Sequence, residues 1–256
     1  MAWEHELEVG RAVARRAGEI ALRYRDQGIS AERKSDASPV TAADRECERF
    51  LSHALSEAFP EDGLLGEEGA LKESRSGRRW ILDPIDGTKD YIRGNDTWGV
   101  LIGLEADSEV VAGFCNLPAQ SELYFACRGG GAWRNETRVR ASAIASPAES
   151  VLCVNGLSEL TAQPFAARLF EFFHRFWAVR SFGGCQDAMA VAGGRAEAWI
   201  EPSAKPWDLA PIKVIVEEAG GRFFNFDGGT SIYGGNCICS GPALEQELRR
   251  FVSGQS

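Results

Sequence analysis

The residues that could do chemistry crowd into one short run, Trp80-Ile81-Leu82-Asp83-Pro84-Ile85-Asp86-Gly87-Thr88. Its apolar start reads as a strand ending at Asp83, and Pro84 holds that residue extended because the proline ring excludes the helical region before it. The chain then turns through Asp86-Gly87, so the two carboxylates can converge from either side of a tight turn. With the backbone carbonyl of Ile85 they make an all-oxygen donor set of the kind Mg2+ takes. A helix starting at Gly87 would turn free N–H groups towards an anion, so one loop could hold metal and phosphate together. Two more acidic signals lie elsewhere: Gly66-Glu67-Glu68-Gly69 after the apolar pair Leu64–Leu65, and Lys205-Pro206-Trp207-Asp208 at a helix start. Singly, the three have ordinary alternatives, namely a turn, a solvated loop and a helix start that complements the dipole. Their combination and order point to a metal site.

Other chemistries find less support. His5, His53 and His174 fall in predicted helices without ligand spacing, which argues against zinc. Cys237-Ile238-Cys239 puts two thiols on one strand face but lacks the second pair of a zinc site, so both read as core thiols. Phe170, Phe172, Phe173, Phe176 and Trp177 read as packing. Gly129–Gly131 reads as a hairpin loop, since no Lys or Ser/Thr follows at the spacing of a phosphate loop.

These residues need a scaffold, and hydrophobic periodicity outlines it. Leu7, Val9, Val13, Ala17, Ile20, Ala21 and Tyr24 predict a helix over 3–25; Phe50, Leu51, Ala54, Leu55 and Ala58 predict another over 41–58, capped by Thr41. Short apolar runs predict strands at 64–65, 80–82, 99–104, 110–114 and 123–126. Strands at 151–154, 176–180, 196–200 and 222–226 then alternate with helices at 164–173, 185–192 and 208–218. The pattern predicts an α/β (α+β) layered fold. The polar stretch 141–150 separates an N-terminal α+β half, 1–145, with most of the acidic residues, from a C-terminal α/β half, 146–256, that completes the site in one compact unit.

The net charge of −9 across 256 residues excludes a nucleic-acid backbone as partner, since no basic stripe offsets phosphate repulsion. No apolar run approaches the roughly 20 residues that cross a bilayer, so no membrane partner is expected. The first 25 residues mix Glu4, Glu6 and Glu8 with Arg11, Arg15, Arg16 and Arg23, unlike an export signal. Seven scattered cysteines then suggest a reducing cytoplasm.

One more run, Ser38-Pro39-Val40-Thr41-Ala42-Ala43-Asp44 after Lys34, precedes Gly66-Glu67-Glu68, and Trp207-Asp208 is followed by Glu217-Glu218-Ala219-Gly220-Gly221. With Asp83-Pro84-Ile85-Asp86-Gly87-Thr88 between them, these ordered motifs resemble the inositol monophosphatase family of metal-dependent phosphatases, from about Gly28 to the last helix. The resemblance implies the inositol monophosphatase/fructose-1,6-bisphosphatase fold, a layered sandwich of alternating helices and sheets. It implies that Glu67, Asp83, Asp86 and Asp208 bind Mg2+, about two or three ions per site, with the Ile85 carbonyl as a further ligand. It also implies that Gly87 and Thr88 hold the phosphate through backbone N–H groups, beside Ile85, Asp86 and Asp208. Thr88 and Glu67 would orient the attacking water, with Asp44 supporting them.

The implied chemistry is hydrolysis of a small phosphate ester by in-line attack of water, with no covalent nucleophile; cations gathered by the carboxylates reconcile an acidic protein with an anionic substrate. Lys89 after Gly87-Thr88, together with Lys205-Pro206-Trp207-Asp208, resembles the histidinol-phosphate phosphatase branch. Histidinol phosphate is therefore the expected substrate, inositol 1-phosphate the alternative, and 3′-phosphoadenosine 5′-phosphate stands behind both. One departure cuts the other way. Histidinol-type relatives have Asp in the middle of the segment matching Gly183-Gly184-Cys185, where it could pair with a cationic amine or imidazolium, and this chain has Gly184. Glu201 remains available for an amino group or hydroxyls, and Arg180 either fixes the substrate or forms a structural ion pair. A non-catalytic metal- or anion-binding regulator should have lost Glu67, Thr88 or an aspartate, and all are present. The resemblance also carries an expectation of a homodimer.

Overall fold

The structure is a computed structural model that describes residues 3–28, 31–33 and 39–254. Lys34 and Ser38, two residues of the upstream motif, lie outside the described residues.

Two long helices form where the apolar spacing predicts them. Helix α1 (Glu4–Asp26) buries Val13, Ala14, Ala17, Ile20 and Ala21 on one stripe. Its ends carry Glu4 and Glu6 at the start and Arg23 and Arg25 at the finish, which suits the helix dipole. After a short hairpin of β1 (Ala31–Arg33) and β2 (Pro39–Thr41), α2 (Ala42–Ala58) opens with a capping box. The Thr41 hydroxyl accepts from the Ala43 and Asp44 N–H groups, and Asp44 Oδ2 accepts from Thr41 N at 2.7 Å.

The large sheet follows. Its strands are β3 (Gly63–Gly66), β4 (Leu71–Lys72), β5 (Arg78–Asp86), β6 (Gly99–Ala106), β7 (Glu109–Leu117), β8 (Glu122–Cys127), β9 (Gly131–Arg134) and β10 (Thr137–Val139), with α3 (Thr88–Arg93) between β5 and β6. They lie in the order β10-β9-β8-β7-β6-β5-β3-β4, antiparallel except for the parallel pair β3–β5. The stretch 140–150 leads to the small sheet of β11 (Val151–Val154), β12 (Ala178–Arg180), β13 (Ala198–Glu201), β14 (Arg222–Phe224) and β15 (Cys237–Ser240), in the order β12-β11-β13-β15-β14. Its helices are α4 (Leu157–Leu160), α5 (Leu169–Phe173), α6 (Gly184–Ala192), α7 (Pro206–Glu218) and α8 (Glu245–Ser253).

Three hydrophobic cores separate five layers. One joins α1 and α2 to the large sheet, one holds α6 and α7 between the sheets, and one lies under α5 and α8 on the outer face of the small sheet. Strand β6 is buried along its whole length because helices cover both faces. Helix α7 seats on two glycines: a Cβ at Gly103 would stand 2.6 Å from the Ala210 Cβ, and one at Gly113 2.6 Å from Val214 Cγ1. That close approach fixes the height of the α7 N-terminus, and with it Asp208. The layered α/β class is as the sequence predicts. Among the described residues no helix is long and apolar enough to cross a membrane.

Four local expectations change. The strand expected to end at Asp83 runs on to Asp86, through a register shift between Asp83 and Asp86 that lets Asp86 pair with Gly99; Pro84, which cannot donate to a ladder, sits in that shift. The helix expected over 164–173 is a 3-10 turn at Ala166–Arg168, with Arg168 N donating to the Phe165 carbonyl, followed by the five residues of α5; Phe172 packs into the outer core, whereas Phe170 and Trp177, expected to pack, are exposed. The strand expected from Phe176 starts at Ala178, since Trp177 N donates to the Pro147 carbonyl. The strand expected to reach Phe226 stops at Phe224, where Asn225 turns into the following loop by accepting from Ser231 N and donating to the Asn236 carbonyl.

Candidate metal centre

Three carboxylates from two sequence-distant elements meet at one point. Asp83 and Asp86 flank the register shift of β5, and Asp208 occupies the first turn of α7; each offers an oxygen within 4.8 Å of the others. Local hydrogen bonds aim them. Asp83 Oδ1 accepts from Ile85 N at 3.0 Å, Asp208 Oδ2 accepts from Lys205 N at 2.7 Å, and Asp86 Oδ2 accepts from Cys185 N at 2.9 Å. Glu67 leaves β3 with its N–H donating to the Leu82 carbonyl, which brings its carboxylate close enough to hydrogen-bond Asp83. Gly87 takes a left-handed φ of 82° to start α3, and a Cβ there would lie 2.9 Å from the Thr97 carbonyl oxygen. Thr88 follows as the first helical residue, its hydroxyl donating to the Ile85 carbonyl at 3.1 Å.

The electrostatics are those of crowded anions. Burial raises the Asp83 pKa, and the Glu67, Asp86 and Asp208 charges raise it further. Burial likewise raises Asp86, and Asp208 is pushed up to about 8 by burial and then by Asp86 and Glu67. Among the described residues no Lys or Arg pairs with any of these three aspartates. Carboxylates crowded in this way are costly unless a cation compensates them. Four carboxylates and a carbonyl, without thiolate or imidazole, suit a hard divalent cation such as Mg2+. Asp44 lies beside them, fully buried, where burial and the Glu67 charge raise its pKa against the Thr41 hydrogen bonds. Its Oδ1 is buried without a hydrogen-bond partner among the described residues.

Gly183, Gly184 and Cys185 form the turn into α6 that meets Asp86. Glu201 ends β13, buried, accepting from Asn155 Nδ2 at 2.7 Å and Ser203 N at 3.1 Å. Burial pushes its pKa to about 7, and the Asp86 charge adds to the rise. Arg180 is not brought to the cluster: it is exposed at the end of β12, and its guanidinium donates back to the Val179 carbonyl at 2.9 Å. The three histidines stay apart from the cluster, and all seven cysteines are buried free thiols.

Several supporting residues escape sequence reading. Glu48 accepts from the N–H groups of Glu68 and Ala70 and so anchors the turn after Glu67. Asp187 accepts from Phe182 N and Gly183 N and holds the turn before α6. A signal existed for Asp187, since it is a lone acid among the apolar residues of Cys185–Ala192.

Comparison with known proteins gives the arrangement its context. The model of the inositol monophosphatase family matches residues 2–253. The chain belongs to this family. Its relatives include a histidinol-phosphatase of Chlorobaculum parvum, 39% identical over 92% of this chain and 91% of the other. An inositol-1-monophosphatase of Rhizobium meliloti is 32% identical over 96% and 92%. Among solved structures, the extragenic suppressor protein suhB of Bartonella henselae superposes with a TM-score of 0.88 at 30% identity, covering 96% of this chain and 97% of that one. Inositol monophosphatase family members of this kind are metal-dependent phosphatases, and the acidic cluster is a place where a metal could be held.

Proposed function

We propose that the chain is a Mg2+-dependent phosphomonoesterase acting on histidinol phosphate. The observation that carries the phosphatase reading is the convergence of Asp83, Asp86 and Asp208 beside the Gly87–Thr88 helix start. The substrate reading is supported by the likeness to the Chlorobaculum parvum histidinol-phosphatase. Gly184 and the Rhizobium meliloti relative favour inositol 1-phosphate as a second reading.

Glu67, Asp83, Asp86, Asp208 and the Ile85 carbonyl would hold the metal. The chemistry Mg2+ supplies when bound is charge neutralisation at the phosphate and a lowered water pKa. The first N–H groups of a helix have no partner within it, so Gly87 and Thr88 are assigned to the phosphate oxygens. Glu67 accepts the proton of the attacking water, oriented by the Thr88 hydroxyl. Asp44 supports both from its place beside Glu67. Gly183, Gly184, Cys185 and Glu201 border the alcohol portion of the ester.

The test compares phosphate release from histidinol phosphate, inositol 1-phosphate and 3′-phosphoadenosine 5′-phosphate, with Mg2+ and with EDTA. A preference of about 100-fold in kcat/KM for histidinol phosphate, roughly 2.7 kcal/mol of discrimination, is expected. Equal or better release from inositol 1-phosphate transfers the assignment, and no Mg2+-dependent release from any ester ends the enzyme reading.

The same reading carries a homodimer, supported by Phe170 and Trp177, which are 81% and 73% exposed around the edge strand β12. An edge strand and an apolar patch suit an interface that a two-fold copy would cover. Sedimentation is expected to give the mass of two chains, and a monomer at micromolar concentration refutes it. The seven free thiols support a cytoplasmic location, which cell fractionation checks.

A further inference from the structure

The two glycines at 183 and 184 face two different carboxylates. A Cβ at Gly184, where φ is +30°, would lie 2.8 Å from Asp86 Oδ2 and 3.2 Å from Asp86 Oδ1. A side chain there would press on a carboxylate of the metal cluster, so in this chain position 184 has no room for a group directed at the substrate. A Cβ at Gly183, by contrast, would lie 3.7 Å from Asp90 Oδ2. Asp90 sits in the first turn of α3, two residues after Thr88, and its carboxylate therefore stands against the same turn from the other side.

Asp90 is held in place. Asn95 Nδ2 donates to Asp90 Oδ1 at 2.7 Å, and Asn95 N donates to the Asp90 carbonyl at 3.0 Å. Among the described residues no donor meets Oδ2, the oxygen that faces Gly183. Asp90 is outside the three-aspartate cluster and only half-buried, so a ligand can reach it. Its charge is nevertheless felt at Asp86, which places it at the border of the metal centre.

We infer that Asp90 is the residue that selects a cationic alcohol portion, pairing through Oδ2 with a protonated amine or imidazolium of the phosphate ester. Gly184 leaves that role open, and Gly183 lies beside Asp90 and Thr97, where an added Cβ would meet Thr97 at 3.5 Å and Asp90 Oδ2 at 3.7 Å. The inference rests on the phosphatase reading above and names a specificity residue within it. A cationic ester adds the attraction of opposite charges to its hydrogen bond with the carboxylate, which the hydroxyl of a neutral polyol ester does not supply.

The experiment reads the ratio of kcat/KM for histidinol phosphate to that for inositol 1-phosphate, in Mg2+, for the wild-type protein, Asp90→Asn and Asp90→Ala. Thermal midpoints measured alongside establish folding. The ratio is expected to fall about 10- to 100-fold in both variants, with the change in KM for the cationic ester. An unchanged ratio, or an equal fall for both esters, overturns the assignment and leaves the phosphatase reading standing. Absence of Mg2+-dependent release from the wild-type protein fails that reading itself and takes Asp90 with it.

Discussion

Asp83→Asn is expected to lower kcat for Mg2+-supported phosphate release by about 1000-fold or more, roughly 4 kcal/mol of barrier, while raising the thermal midpoint of the metal-stripped protein. The opposite signs have one origin. Asp83 is 2% exposed, and Glu67, Asp86 and Asp208 all press on its charge. Without a cation that crowding destabilises the fold, and a neutral amide of the same shape relieves it, still able to accept from Ile85 N. With the cation, the loss of one anionic ligand weakens the site that must gather the metal. A variant with kcat within threefold of wild type removes Asp83 from the metal centre. A lower midpoint in EDTA makes the carboxylate a structural group instead.

Stability of the metal-stripped protein is expected to fall as pH rises from about 4 to about 8. Asp208 titrates near 8 in the folded chain against an ordinary 3.8, so across that window the folded state keeps a proton that the unfolded state has lost. Its contribution is complete below the ordinary carboxylate range and is lost as pH rises through about 8. Asp83, Asp86 and Asp44 are raised in the same direction, burial being the main cause in each, and Glu201, at about 7, adds to the slope. Asp62 runs the other way: burial opposes its charge, but hydrogen bonds from Arg78 and Ser76 hold it below the ordinary value. Its contribution is lost only as pH falls below the carboxylate range, outside this window. Saturating Mg2+ is expected to flatten the slope and, near pH 6, to release protons on binding. Thermal midpoints in EDTA at pH 5 and pH 8 decide the matter, and a higher midpoint at pH 8 refutes it.

The three clustered carboxylates were legible in the sequence because metal chemistry restricts residue type and local turns restrict position. Asp83 and Asp86 sit directly before Pro84 and Gly87, and Asp208 follows Pro206 by two residues at a helix start, so local turns and caps place all three. Glu48 and Asn155 were not legible, because their partners are set by packing between distant elements, and neither was the approach of Asp90 to Gly183, which packing sets as well. Arg180 shows the converse: its type suggested a substrate contact, while the edge position of β12 turns it onto its own strand. Strands β9 and β10 and helix α3 are too short for periodicity to reveal.

Helix α7, wedged onto Gly103 and Gly113 between the two sheets, also sets a timetable for synthesis. Asp208 leaves the ribosome 122 residues after Asp86, and α7 can dock only on strands that are already paired. A nascent chain therefore carries the β5 carboxylates without the third, and gathers all three only when nearly the whole protein has been made. Truncated or stalled products would accordingly be inert towards phosphate esters rather than weakly active.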